Sequence, residues 1–375
     1  MSKIIFNATI ISDKPNGLSL YCINILKRVK VSLTDSIIKM ESSEIPNPGD
    51  IQTINIKTES SHKLFSVFLR NHNFKRKIKE LAHKNLLIYS PTQHGITTKG
   101  IRQVITVHDL LPLLYPAGRF HQYFYYRFIL PKVIKNSVCV ITVSENTKSD
   151  IIKHYKVNPE KIHVVYNGFD KPQYINIEES KKTIKDMYNL ESYILMMGIN
   201  YRYKNLHSII SAYSEIKDRV SYKLVIAGNY NVGYGKELIH LSKSLGVEDR
   251  VVFLGYVDND VKHKLYQASK AFVYPSLYEG FGLPVLEAMA NQTPVICSET
   301  SSLPEVAGDA AIYMNSQDTD DVERALLELD SMTGEERDEL IRKGNERVRL
   351  FSWEKCADKV FDILSKAGEQ EYSNG

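Results

Sequence analysis

"YPSLYEGFGLPVLEAMA", residues 274–290, is the stretch from which the fold can be read. The residues leading into it, "KAFVYPS" (270–276), carry the β-formers Phe272, Val273 and Tyr274 and stop at Pro275, which cannot extend a ladder. The residues leading out, "PVLEAMA" (284–290), read as a helix beginning at Pro284, because proline is preorganised for the first helical position and needs no donor there. Strand, glycine-bearing loop and helix entrance therefore follow in order. Free N–H groups and the positive end of the helix dipole make such a junction a seat for phosphate. Glu279 falls in the loop and Glu287, eight positions on, in the first helical turn. A carboxylate can accept from two adjacent hydroxyls, as a ribose or hexose presents them. Spacing alone favours a simpler assignment, Glu287 as a first-turn acid and Glu279 as a solvated loop residue, so the rest of the chain has to decide.

Outward from this stretch the same alternation recurs. "YILMMGI", "YKLVIAGN", "RVVFLGYV", "KAFVYPS" and "TPVICSE" are strand candidates separated by helical runs such as "NLHSIISAYSEI" and "NDVKHKLYQAS". In the first half "KIIFNATII", "LLIYSP", "RQVITVHDL" and "VCVITVSE" read as strands, and "LYCINILKRVK", "FYYRFILPKVIKN" and "NTKSDIIKHY" as helices. Nearly all-apolar strands alternating with helices predict parallel sheets covered on both faces. The polar stretch 167–183 reads as a linker without strands. The expected organisation is an α/β chain of two Rossmann-like, doubly wound domains, 1–170 and 171–350, with a docking helix over 351–375. Ligands in such sheets sit at the carboxyl ends of the strands, here in a cleft between facing domains. No GxGxxG follows the first strand, and "NVGYGKE" lacks the third glycine, which argues against a dinucleotide dehydrogenase. There is no P-loop either.

Composition sets the outer bounds. The chain has 375 residues, 43% hydrophobic and 25% charged, as a globular protein of two domains would. No run approaches the roughly 18 apolar residues of a membrane span, and Asn7 and Thr9 interrupt the first apolar stretch too early for a signal peptide, so a cytoplasmic location is expected. Four scattered cysteines point to neither zinc nor disulfides. Residues 1–170 hold 24 Lys and Arg against 12 Asp and Glu, whereas residues 171–375 hold 24 against 32. The basic half suits nucleic acid, an anionic membrane surface or a phosphorylated substrate. Its densest part, 64–85, mixes Phe65, Phe68 and Phe74 with Lys75, Arg76, Lys77 and Lys79. That mixture suits an interfacial helix, and equally an ordinary amphipathic helix on the protein surface.

Other stretches bear on the two glutamates. In "MMGINYRYKNLHS", Gly198 ends a strand, and Arg202 and Lys204 follow within one loop, where cations could neutralise a diphosphate. Gly17 lies between the first strand and first helix, where a missing Cβ lets backbone approach a ligand. "TVHDLLP" sets His108 at a strand end, a place more often held by a hydrogen-bonded structural histidine. Together these residues resemble the retaining glycosyltransferases of family GT4, of GT-B fold. The resemblance runs through "SPTQHG" (90–95), "VHDLLPLLYP" (107–116), "ITVSENTKSDI" (141–151), "VVYNGFD" (164–170), the E-x7-E element Glu279 to Glu287, "TPVICSETSSLPEVAGDAA" (293–311) and "FSWEK" (351–355).

The resemblance implies that Glu279 binds donor-sugar hydroxyls, Glu287 the nucleotide ribose and Lys204 the diphosphate. It implies the same diphosphate role for Arg202, although the family's arginine usually stands where this chain has Tyr203 or Ile199. It further implies Gly17 and Gly198 beside the donor phosphates, His108 near the sugar and the backbone of Val257 at the base. Gly280, Phe281, Gly282 and Leu283 complete the donor loop. Family members transfer with retention by same-face attack, which places cations at the diphosphate and does not require a carboxylate pair across the bond. Asp258 and Asp260 directly precede a helical pattern and read as capping residues; no cofactor and no catalytic metal are expected. The resemblance to bacterial enzymes of surface polysaccharide assembly implies a nucleotide-sugar donor, with GDP-mannose favoured and other hexoses open. The basic first half suits an acceptor carried on polyprenyl diphosphate at the inner membrane face, and the lack of a recognisable recognition module argues against nucleic acid. A sugar-nucleotide 2-epimerase of the same fold and a noncatalytic sugar-nucleotide-binding subunit are the alternatives.

Overall fold

The structure, a computed structural model, describes residues 3–12, 16–57, 63–81, 86–231 and 233–369, with side chains described from His72 onward in the helix Lys63–Leu81. The chain divides into two compact units, one running to Gly168 and resuming at Ser352, the other Phe169–Phe351.

The first unit is built on seven parallel strands: β1 (Lys3–Asn7), β2 (Thr34–Met40), β3 (Gln52–Ile56), β4 (Leu86–Ser90), β5 (Gln103–Val107), β6 (Cys139–Thr142) and β7 (Ile162–Val164). Their spatial order is β3-β2-β1-β4-β5-β6-β7. The apolar runs mark β1, β4, β5 and β6. They miss β2, whose apolar core is only Ile37 and Ile38, and the edge strands β3 and β7, which have no second neighbour and need few apolar residues. The C-terminal helix Trp353–Glu369 completes this unit. Its Trp353, Cys356, Val360, Phe361 and Leu364 join Ile4, Phe6 and Tyr21 in one apolar core. The return is tight, since a Cβ on Gly168 would collide with the Trp353 backbone.

The second unit holds six parallel strands: β8 (Tyr193–Met197), β9 (Lys223–Ala227), β10 (Val251–Gly255), β11 (Ala271–Tyr274), β12 (Val295–Ser298) and β13 (Ile312–Met314). Their order is β10-β9-β8-β11-β12-β13. Ile194, Met196, Leu224, Ile226 and Val273 pack with Ile209, Ile210 and Tyr213 of the helix Leu206–Ile216. The stretch expected as a bare linker is in part a helix, Ile177–Tyr188, started by Asn176, whose side chain accepts from Glu179 N. Asp258 caps the helix Asn259–Ala268 by accepting from Val261 N at 2.9 Å, and Asp260 pairs with Lys264. In both sheets the strand order reverses once, between β1 and β4 and between β8 and β11. Those switch points are where a doubly wound sheet opens a crevice at its carboxyl edge.

Candidate functional site

β8 and β11 lie side by side, Ile194 opposite Ala271 and Leu195 opposite Phe272, so the loops leaving their carboxyl ends start as neighbours. The chain leaves β8 through Gly198 at φ +94°, a left-handed conformation open to glycine. A Cβ there would press on Lys204 Cδ and Cε, both 3.3 Å away. The turn Arg202–Lys204 ends at Asn205, whose side chain donates to Ser316 O at 2.8 Å and ties the loop down.

This loop aims the Lys204 ammonium at the loop after β11. Its Nζ donates to Glu279 Oε1 at 2.6 Å and to Tyr274 Oη at 2.7 Å, and Ser276 Oγ donates to the same Glu279 oxygen at 2.5 Å. The Lys204 and Glu279 side chains are 14% and 13% exposed. Burial works against the ammonium, but Glu279, Tyr274 and Tyr203 outweigh it and hold Lys204 well above the ordinary lysine range. The Tyr274 and Tyr203 rings lie 4.9 and 5.3 Å from Nζ and add cation–π attraction. Lys204 is therefore a fixed positive charge at the switch point.

The loop that carries Glu279 is pinned from the segment after β12. Ser301 Oγ donates to Glu279 O at 2.7 Å and lies 3.1 Å from Glu279 N, while Ser302 Oγ lies 3.0 Å from Glu279 O and 2.8 Å from Phe281 O. These bonds hold the backbone on either side of Gly280. Phe281 is buried edge-on against Phe351. Gly282, at φ +108°, has no room for a side chain because a Cβ would stand 2.8 Å from Leu303 Cδ2. The helix it feeds, Leu283–Ala290, begins one residue before Pro284. Glu287 consequently lies one turn in, not in the first turn, and the first-turn acid role falls away. Its carboxylate is held at both oxygens instead, Oε1 by Lys262 Nζ at 3.0 Å and Oε2 by Tyr266 Oη at 3.3 Å.

Arg202 is not drawn into the Lys204 cluster. It is 71% exposed and ion-paired with Glu237. Val257 stands two residues beyond β10, on the carboxyl edge that also bears the Lys204 and Glu279 loops. In the first unit, Gly17 is the exposed first residue of the helix Gly17–Leu26, with nothing within 4 Å of where its Cβ would be. His108 follows β5 and packs edge-on against Tyr21 at 4.7 Å. Its Nε2–H donates to Pro91 O at 3.0 Å, and burial pushes its pKa down to about 4, so the ring is neutral at physiological pH. Tyr274 and Ser276 belong to the stretch that announces the site and were not singled out by spacing. Lys262 and Tyr266 share a helix face four residues apart, a legible pairing whose common partner is not visible locally. Among the described residues no cluster of three or more His, Cys, Asp or Glu could hold a metal, and no helix is long and apolar enough to cross a membrane.

Comparison with known proteins bears on the family and the fold. Residues 178–347 match the family described as "Glycosyl transferases group 1" and residues 55–171 the one described as "Glycosyltransferase Family 4". The O-antigen chain mannosyltransferase RfbU of Salmonella typhimurium is 34% identical over 265 residues, 71% of this chain and 70% of that protein. The O-antigen chain mannosyltransferase B of Escherichia coli is 27% identical over 382 residues, covering 96% and 98% of the two chains. Among solved structures, sucrose-phosphate synthase from Thermosynechococcus elongatus superposes with a TM-score of 0.77 at 19% identity, covering 98% of this chain and 99% of its own. HepE from Anabaena, solved with UDP and glucose, does so at 0.73 and 18%, covering 98% and 100%. At those identities the likeness concerns the fold, and it is the GT-B fold. With a family match in each unit and a relative at 34% identity, the chain belongs to the family 4 glycosyltransferases.

Proposed function

We propose that this glycosyltransferase moves mannose from GDP-mannose to a hydroxyl of a growing surface glycan carried on polyprenyl diphosphate, with retention of configuration and without a metal ion. The observation that carries the proposal is the Lys204–Glu279 pair at the β8/β11 switch point. It sets a permanent cation where a diphosphate would leave and a carboxylate beside it for the hydroxyls of the sugar. The two O-antigen chain mannosyltransferases among the relatives support mannose and a surface glycan.

In this reading the bond from the anomeric carbon to the diphosphate oxygen breaks on the face where the acceptor oxygen attaches, and the acceptor proton passes to the departing diphosphate. Lys204 offsets the charge that develops there, and Arg202 adds to it by exchanging Glu237 for phosphate. Glu279 fixes the sugar, and Glu287, steadied by Lys262 and Tyr266, accepts from the ribose. Val257 presents backbone to the base, Gly17 presents backbone to the phosphates, and neutral His108 offers Nδ1 as an acceptor to a sugar hydroxyl. The enzyme works in the cytoplasm at the inner face of the membrane, where the basic first half meets anionic lipid.

The test is a thermal-shift series with GDP-, UDP- and dTDP-sugars in EDTA, followed by transfer of labelled mannose to a lipid-linked acceptor. A ligand that prefers the native state must raise the melting temperature. GDP-mannose is expected to give the largest shift. A shift confined to another nucleotide moves the donor, a shift that needs added metal ends the metal-free mechanism, and no shift with any donor defeats the enzyme reading.

A further inference from the structure

Residues 111–143 contain no Asp or Glu and four cations, Arg119, Arg127, Lys132 and Lys135. They include a continuous helical run over 120–136 whose middle turn, Tyr125–Ile129, is π-helical. The inner side is firmly seated. Tyr126, Leu130, Val133 and Ile134 are buried with Ile105, Val107 and Ile151, and Tyr125 Oη donates to Gln93 O at 2.8 Å. The outer side is apolar where water should be. Phe120, Phe124 and Phe128 are 76%, 52% and 49% exposed, and the last two rings lie 4.9 Å apart. A spacing of four residues sets the three rings in one row.

Arg127, Lys132 and Lys135 are exposed beside this row, and among the described residues none of them makes a salt bridge. A second basic element adjoins it. Lys75 donates to Thr97 Oγ1, and Asn136, at the end of the Phe-bearing helix, donates to Thr97 O. Lys75 therefore borders the same surface from the helix Lys63–Leu81.

We propose that the row Phe120, Phe124 and Phe128, with its flanking cations, seats the protein on a bilayer bearing anionic headgroups. This deepens the proposed function and rests on its lipid-linked acceptor. Exposed aromatic rings on a rigid helix enter the boundary between headgroup and acyl chain, while arginine and lysine reach the phosphates. A second copy of the chain fits poorly, because a two-fold contact through this face would set Arg127, Lys132 and Lys135 against their own counterparts.

The experiment is co-sedimentation of the intact protein with vesicles of phosphatidylcholine alone and of phosphatidylcholine with phosphatidylglycerol. Wild type is expected to bind the phosphatidylglycerol vesicles. Phe124→Gln/Phe128→Gln, with an unchanged melting temperature, should bind about tenfold more weakly, and Arg127→Gln/Lys132→Gln/Lys135→Gln should lose most of the salt dependence. Unchanged binding by the Phe variant, or no wild-type binding to either vesicle, overturns the proposal. So does a self-association without vesicles that the Phe variant abolishes while vesicle binding is untouched. Transfer to a detergent-dispersed acceptor should be equal in wild type and Phe variant. If neither transfers while the Phe variant alone loses the vesicles, the surface stands and the proposed reaction falls.

Discussion

The ammonium of Lys204 lies 2.6 Å from Glu279 Oε1 although 75 positions separate the two residues. The loops that carry them leave adjacent strands, β8 and β11, at the point where the strand order reverses. Neither side chain is free to relax, because Tyr274 and Ser276 share the contact.

Replacing either partner should therefore end transfer in a protein that still folds. Lys204→Ala and Glu279→Ala are expected to lower kcat by about 100-fold or more, the scale of a lost electrostatic contact to the transition state. Each should also lower the melting temperature, since the remaining charge is left without its partner. The double variant Lys204→Met/Glu279→Gln should recover part of the melting temperature and none of the activity. A wild-type rate in either single variant removes that residue from the site.

Glu287 and Arg202 should behave differently from that pair. Glu287→Ala is expected to raise the donor KM about tenfold with kcat little changed, the signature of an interaction made equally in ground and transition states. Arg202→Ala should cost at least about tenfold less than Lys204→Ala, because its guanidinium is solvated and already paired with Glu237. Steady-state kinetics on the purified variants decides both; a kcat loss without a KM change in Glu287→Ala contradicts the ribose role.

The buried neutral ring of His108 makes stability depend on acidity. Its native pKa of about 4 lies below the ordinary value of 6.5, so between those limits the unfolded chain holds a proton that the native state does not. Stability from this source is complete above pH 6.5 and falls as the pH drops toward 4, by about 3 kcal/mol. His163 and His207, also shifted down by burial, add to the slope. Urea midpoints against pH should show a shallower acid slope in His108→Gln than in wild type. Parallel slopes would mean that the ring takes up its proton in the native state.

Neutralising Lys75, Arg76 and Lys77 should weaken binding to anionic liposomes, with the deficit shrinking as salt is raised. Side chains at the start of their helix, including Phe65 and Phe68, lie outside the described residues. The cations themselves can be tested directly by co-sedimentation. Variants that bind like wild type would relieve this helix of any membrane role.

The sequence by itself determined the two parallel sheets, because a strand buried on both faces must be written as an apolar run, and "YILMM", "KLVIA" and "AFVY" are such runs. It also announced the strand–loop–helix junction through Gly280, Gly282 and Pro284, and the capping role of Asp258, since these depend on neighbours a few residues away. Strands β3, β7 and β13 escaped notice because edge positions ask little of composition. The helix Gly334–Val348 escaped for a similar reason, being mostly polar with a capping box at Thr333 and Glu336 as its clearest mark. Tertiary structure alone decided the partners. Leu303 crowds Gly282 and the helix starts at Leu283, which carries Glu287 out of the first turn and to Lys262 and Tyr266. Lys204 turns inward to Glu279 while Arg202, two residues away, turns out to Glu237. Such choices depend on which strands become neighbours, a long-range outcome of sheet order that no local pattern of residue types encodes.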